Sequence, residues 1–145
     1  MRITEREYFF GIAELSARRS TCERRQVGAV AVARGRVVAT GYNGAPVGLP
    51  HCSSYGCVRQ EERIASGTRH ELCRGVHAEQ NVILQAAILG VRLSGSDLYV
   101  TTSPCSICAR MIINAGFITV YYTDTYSDEV GLSLLRAAGV RAVAV

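Results

Sequence analysis

DLYVTTSPCSICARMIINAGFITVYY, residues 97–122, decides the fold. Its two ends, 97–102 and 118–122, are rich in β-branched and aromatic residues and read as strands, and 106–115 between them reads as a helix. Strands that alternate with helices require parallel crossovers. Upstream, 78–89 predicts another helix, and before it VGAVAVA (27–33) and RVVATGY (36–42) predict two strands joined by a tight turn through Arg34 and Gly35. That opening hairpin must be antiparallel. At the N-terminal end, Thr4 and Glu7 fit a capping box, and Tyr8, Phe9, Ile12 and Leu15 recur at helical spacing, so a first helix runs to about Arg18. Downstream, a helix over 129–138 and a strand over 140–144 complete the order α-β-β-α-β-α-β-α-β. The expectation is an α/β chain: one domain, 1–145, with three α/β/α layers around a five-stranded mixed sheet.

The stretch from Asn43 to Gly75 stands apart. It is rich in Gly, Pro, Ser and Cys and lacks periodicity. A connection of this length inside a compact domain must be held by something.

Composition bounds the function. At 145 residues and 48% apolar content the chain buries a sizeable core, and no apolar run is long enough to span a membrane. The first residues, MRITERE, carry both signs of charge and lack a secretory leader's apolar run, which points to the cytoplasm. In that compartment the six cysteines are expected to be metal ligands or buried thiols rather than disulfides. All sixteen basic residues are arginine, and a net charge of +4 is too small to argue for a nucleic-acid partner. Arg18, Arg19, Arg24 and Arg25 nevertheless cluster, and the rigid arginine fork suits a phosphate.

The spacing of Cys105 and Cys108, just after Pro104 and at a predicted helix start, is that of a metal-ligand pair. A helix N-terminus favours the thiolate form that zinc binds. His77 opens the preceding helix, so three ligands converge and a fourth position stays open. An open position marks catalytic rather than structural zinc, because it admits a water whose pKa falls towards about 7. Glu79, two residues beyond His77, is placed to move protons beside the metal without binding it.

This pattern, H-x-E followed by P-C-x-x-C, resembles that of the zinc deaminases. More closely, RRQVGAV (24–30), GYNGAP (41–46), GLPHC (48–52), ELCRGVHAEQN (71–81) and SPCSICARMIINAG (103–116) resemble the deoxycytidylate (dCMP) deaminase family along nearly the whole chain. The resemblance implies the cytidine-deaminase-like fold and hydrolysis of dCMP to dUMP and ammonia, which supplies dUMP for thymidylate synthesis. By position, His77, Cys105 and Cys108 are expected to hold zinc and Glu79 to be the proton carrier. It further implies that Asn43 bonds the sugar and that the backbone at Ala78 and Ser103 reads the pyrimidine edge. Arg24 or Arg25, with Tyr126 as a second contact, is the expected phosphate site. A homo-oligomer, hexameric by resemblance, with dCTP as activator and dTTP with Mg2+ as inhibitor, is the family expectation for partners.

Two rival readings share these residues. Deaminases of tRNA adenosine, cytidine or guanine have the same metal site, although a tRNA enzyme calls for a denser basic face. A zinc-stapled binding module needs a fourth protein ligand and has no use for Glu79.

Four cysteines remain: Cys22, Cys52, Cys57 and Cys73. Cys22 and Cys52 match positions that bind a second, structural zinc in some dCMP deaminases. His70 and Cys73 are spaced for one helical turn, so the expected set is Cys22, Cys52, His70 and Cys73, with Cys57 as substitute; the alternative is buried free thiols.

Overall fold

Alternate residues of the central strands face opposite ways, and this alternation builds the layers. In the strand Asp97–Thr102 (β3), Leu98 and Val100 join one apolar cluster, whereas Tyr99 joins another. The same split occurs in Gly28–Ala33 (β1), between Ala29 and Ala31 on one side and Val30 and Val32 on the other. The structure, a computed structural model, describes residues 1–145.

Five strands lie in the order β2-β1-β3-β4-β5, where β2 is Arg36–Tyr42, β4 is Thr119–Asp124 and β5 is Arg141–Ala144. The hairpin β1–β2 is antiparallel, with Arg34 and Gly35 both at positive φ in the turn, as its tight geometry requires. β1 pairs antiparallel with β3, and β3–β4 and β4–β5 are parallel, so the mixed five-stranded sheet matches the sequence expectation.

Helix Glu5–Ala17 (α1) covers one face with Phe9, Phe10 and Ala13 against Val30, Val32 and Tyr99. Its capping box is formed: the Glu7 amide donates to Thr4 Oγ1 at 3.2 Å and the Thr4 amide to Glu7 Oε2 at 2.7 Å. On the other face lies the larger cluster, built by Val82 and Ala86 of Ala78–Leu89 (α4), Ala109 and Ile112 of Ser106–Ala115 (α5), and Leu132 and Leu135 of Val130–Ala137 (α6). No helix is long and apolar enough to cross a membrane.

Two close approaches fix the helix ends that matter. A Cβ on Gly41 of β2 would stand 2.3 Å from the Ala78 carbonyl oxygen, and one on Gly131 of α6 would stand 2.1 Å from that of Pro104. Only glycine lets the N-termini of α4 and α5 sit this tightly against their neighbours.

The connection from 43 to 75 contains two single-turn helices, Cys52–Tyr55 (α2) and Val58–Glu61 (α3), and a 3₁₀ turn at His70–Leu72. Its base is closed by backbone: Gly44 and Val76 exchange amide-to-carbonyl bonds of 3.1 and 2.8 Å.

Candidate active site

His77 occupies the N-cap of α4, with extended backbone and its amide donating to Gln80 Oε1 at 2.7 Å. Cys105 occupies the same position on α5, and Cys108 lies within that helix's first turn. Both helices follow from polar, turn-forming residues giving way to apolar periodicity, so their free amides converge on one spot. There His77 Nδ1 lies 3.5 Å from Cys105 Sγ and 3.4 Å from Cys108 Sγ. The three donor atoms lie within 4.8 Å of one another, and no fourth His, Cys, Asp or Glu joins them.

The donor set suits zinc, with two buried soft sulfurs and a half-buried imidazole held on rigid helix ends. Electrostatics agree. The Cys108 thiol bonding to Cys105, with His77 beside it, draws the Cys105 thiol down to about 4, and the same shared hydrogen bond pushes Cys108 up. Its bond to Cys105 raises His77 in turn. The two thiols and the imidazole thus titrate as one coupled group rather than singly. Glu79, 5% exposed, stands beside this group, its carboxyl raised by burial and pulled the other way by His77.

Asp128 secures the α5 end from outside. Its Oδ2 accepts from the Ser106 amide at 2.9 Å and its Oδ1 from the Val130 amide at 3.1 Å. No sequence motif flagged this residue, because the cap reaches across from the β4–α6 loop, 22 residues away in the chain.

His77, Glu79 and Cys105 line a cavity of about 260 Å³. Residues 3–124 match the cytidine and deoxycytidylate deaminase zinc-binding region. The chain belongs to that deaminase family. It is 41% identical over 140 residues to ComE operon protein 2 of Bacillus subtilis, spanning 96% of this chain and 70% of that one. With the deoxycytidylate deaminase of Schizosaccharomyces pombe it shares 41% over 135 residues, 92% of this chain but only 42% of the relative. The dCMP deaminase of cyanophage S-TIM5, solved in complex with dCMP and dUMP, superposes with a TM-score of 0.82 at 31% identity, covering 100% of this chain and 99% of the other. These relatives agree with the five-stranded mixed sheet, the deaminase chemistry and the zinc-binding set.

The remaining site residues expected of a deaminase fall into place unevenly. Ala78 is fully buried at the first position of α4, where an amide has no partner in its own helix. Ser103 is 2% exposed, with its amide donating to the Asp124 carbonyl at 2.7 Å and its hydroxyl accepting from the Tyr126 amide at 2.7 Å. Asn43 lines the cavity, but its side chain is already engaged: Oδ1 accepts from the Val27 amide at 2.9 Å and Nδ2 donates to the Arg25 carbonyl at 2.7 Å. It clamps the chain before β1, leaving one N–H and one lone pair for a ligand. Arg24 and Arg25 both line the cavity: Arg25 is exposed, with its guanidinium 5.3 Å over the Tyr126 ring, whereas Arg24 has Nη1 buried and without an acceptor.

The second ligand set does not assemble as expected. Cys22, Cys52, Cys57 and Cys73 line the cavity, but no three of them, with or without His70, gather within 4.8 Å. The His70 ring stands edge-on to that of His77 at 5.5 Å, with both ring nitrogens buried and without a hydrogen-bond partner. Cys73 follows the 3₁₀ turn in extended backbone, and its sulfur accepts from the Gly75 amide at 3.3 Å. Sequence reasoning also missed Arg59, a cavity-lining residue only 7% exposed.

Proposed function

We propose that the protein hydrolyses dCMP to dUMP and ammonia, supplying dUMP for thymidylate synthesis. The observation that carries this reading is a single cavity with the His77, Cys105 and Cys108 group and Glu79 in its wall and arginines without carboxylate partners elsewhere in its lining. A zinc ion held by the three residues supplies the Lewis acidity that brings a water's pKa towards about 7. The Ala78 amide and the Ser103 backbone orient the pyrimidine edge. Glu79 takes a proton from the attacking water and passes it to N3, then returns the second to the exocyclic amine. A C4–O bond thereby replaces the C4–N bond, and ammonia leaves. Asn43 keeps its spare N–H for the sugar.

Names of relatives support dCMP over other bases, and the mild net charge of +4 speaks against tRNA. The test is a panel of dCMP, CMP, dCTP, deoxycytidine and guanine. Charge-assisted bonds to phosphate contribute about 1.5–3 kcal/mol each, so two favour dCMP over deoxycytidine by roughly tens- to thousands-fold. Equal turnover of dCMP and deoxycytidine, or faster turnover of guanine, overturns the reading.

Three further parts belong to the same proposal. The enzyme is a cytoplasmic homo-oligomer, a hexamer, whose contacts draw on the exposed Leu84, Ile88 and Leu89 of α4. It is activated by dCTP and inhibited by dTTP with Mg2+; hyperbolic dCMP kinetics unmoved by either triphosphate remove that part. A second, structural zinc is held by Cys22, Cys52, His70 and Cys73, with Cys57 as the substitute ligand. Support comes from Cys52, whose thiol is raised first by burial and then, against Arg74, by the three other cysteines. The sulfurs must draw together to bind, and wild-type metal content of one zinc per chain excludes it.

A further inference from the structure

Arg59 is an anomaly. It is 7% exposed, yet no carboxylate lies within ion-pairing distance; the one ion pair in the molecule joins Arg69 and Glu71. Buried charges are as a rule paired, because an uncompensated one is costly. Its Nη2 donates to the Ala65 carbonyl at 3.2 Å and the Thr68 carbonyl at 2.8 Å, which aims the guanidinium rigidly, while Nε is buried with no acceptor. Arg24, from a separate segment before β1, presents a second buried donor without an acceptor, Nη1, to the same cavity. Among the residues lining it, Glu79 is the only carboxylate, and that group stands beside the metal-binding cluster.

The other arginines nearby are engaged. Arg25 stacks over Tyr126 at 5.3 Å and Arg74 over Tyr55 at 4.6 Å. Arg59 and Arg24 are thus the arginines of this lining that keep a buried donor without an acceptor.

We propose that Arg59 and Arg24 together grip the substrate's 5′-phosphate, making Arg59 a specificity-determining residue supplied by the long 43–75 connection. The proposal rests on dCMP as substrate. It also gives that connection a purpose: the Gly44–Val76 bridge closes its base, the Ser127 hydroxyl donates to that of Ser66 at 3.3 Å, and Arg59 ties its turns together. A phosphate dianion completes the two donors left open and neutralises a buried charge.

Arg59→Gln, Arg59→Lys and Arg24→Gln are assayed as metal-loaded enzymes on dCMP and deoxycytidine, with affinities for dUMP and deoxyuridine measured by calorimetry. In Arg59→Gln and in Arg24→Gln, the preference for dCMP over deoxycytidine in kcat/KM falls at least tenfold, chiefly through KM. The dUMP affinity falls by a similar factor, and Arg59→Lys recovers part of it. Loss of dCMP and deoxycytidine turnover by equal factors in Arg59→Gln makes Arg59 a scaffold residue and overturns the proposal. So does a dCMP preference that survives intact. A wild-type enzyme indifferent to the phosphate overturns the substrate reading itself, and this proposal with it.

Discussion

At the scale of single residues, the site divides into groups suited to hold a metal and groups that position them. Cys105 is 2% exposed and is one of three donor atoms within 4.8 Å of one another, so Cys105→Ala leaves the set one donor short. The variant is expected to lose its catalytic zinc and more than about a hundredfold of dCMP turnover together, read by metal analysis and assay of one sample. Normal deamination by that variant places the site elsewhere. Asn43 acts differently, because its side chain bonds the Val27 amide and the Arg25 carbonyl. Asn43→Ala gives up both and is expected to cost about 1–3 kcal/mol of stability in urea unfolding, with a raised KM for dCMP. A KM effect without any loss of stability leaves Asn43 as a sugar contact alone. The H-x-E and C-x-x-C residues were legible because their chemistry depends on spacing along helix starts. Asp128 and Arg59 were not, since their roles depend on contacts that only the folded chain creates.

At the scale of elements, the α5 N-terminus depends on Asp128, which accepts from the Ser106 and Val130 amides. Burial pushes this carboxyl up, and the two amides more than offset it, so it lies below its ordinary value of 3.8. A folded-state value below the unfolded one means stability that is fully present above pH 3.8 and lost as pH falls through the lower folded value. Asp128→Ala is expected to cost about 1 kcal/mol at pH 7, as cap removals do, and the gap to wild type should close on acidification below that window. A gap independent of pH contradicts the carboxylate's role as a cap. Helix and strand periodicity made α1, α4 and the β3–α5–β4 unit readable to within a residue or two. The 43–75 connection resisted, because one backbone bridge and the bonds of Arg59 hold it instead of any repeating apolar pattern.

At the scale of the whole molecule, the sheet sets the chemistry by bringing two helix N-termini together, with glycines at 41 and 131 permitting the close approach. The mixed sheet and the parallel β3–β4 crossover followed from pattern, and so did the grouping of His77 with Cys105 and Cys108. What covers the surface did not. Leu84, Ile88 and Leu89 are 47%, 81% and 65% exposed on α4, so an oligomer covering them is expected by sedimentation, and Ile88→Asp should shift it to smaller species. A wild-type monomer at micromolar concentration contradicts that expectation. The central claim is that His77, Cys105 and Cys108 hold the metal while Glu79 carries the protons of dCMP deamination. Glu79→Gln, assayed for zinc content, dCMP affinity and dUMP formation on one preparation, tests it most directly. Zinc retained, dCMP still bound and turnover reduced by about a hundred- to ten-thousandfold is the predicted result; unimpaired dUMP formation by a Glu79→Gln enzyme with full zinc would contradict it.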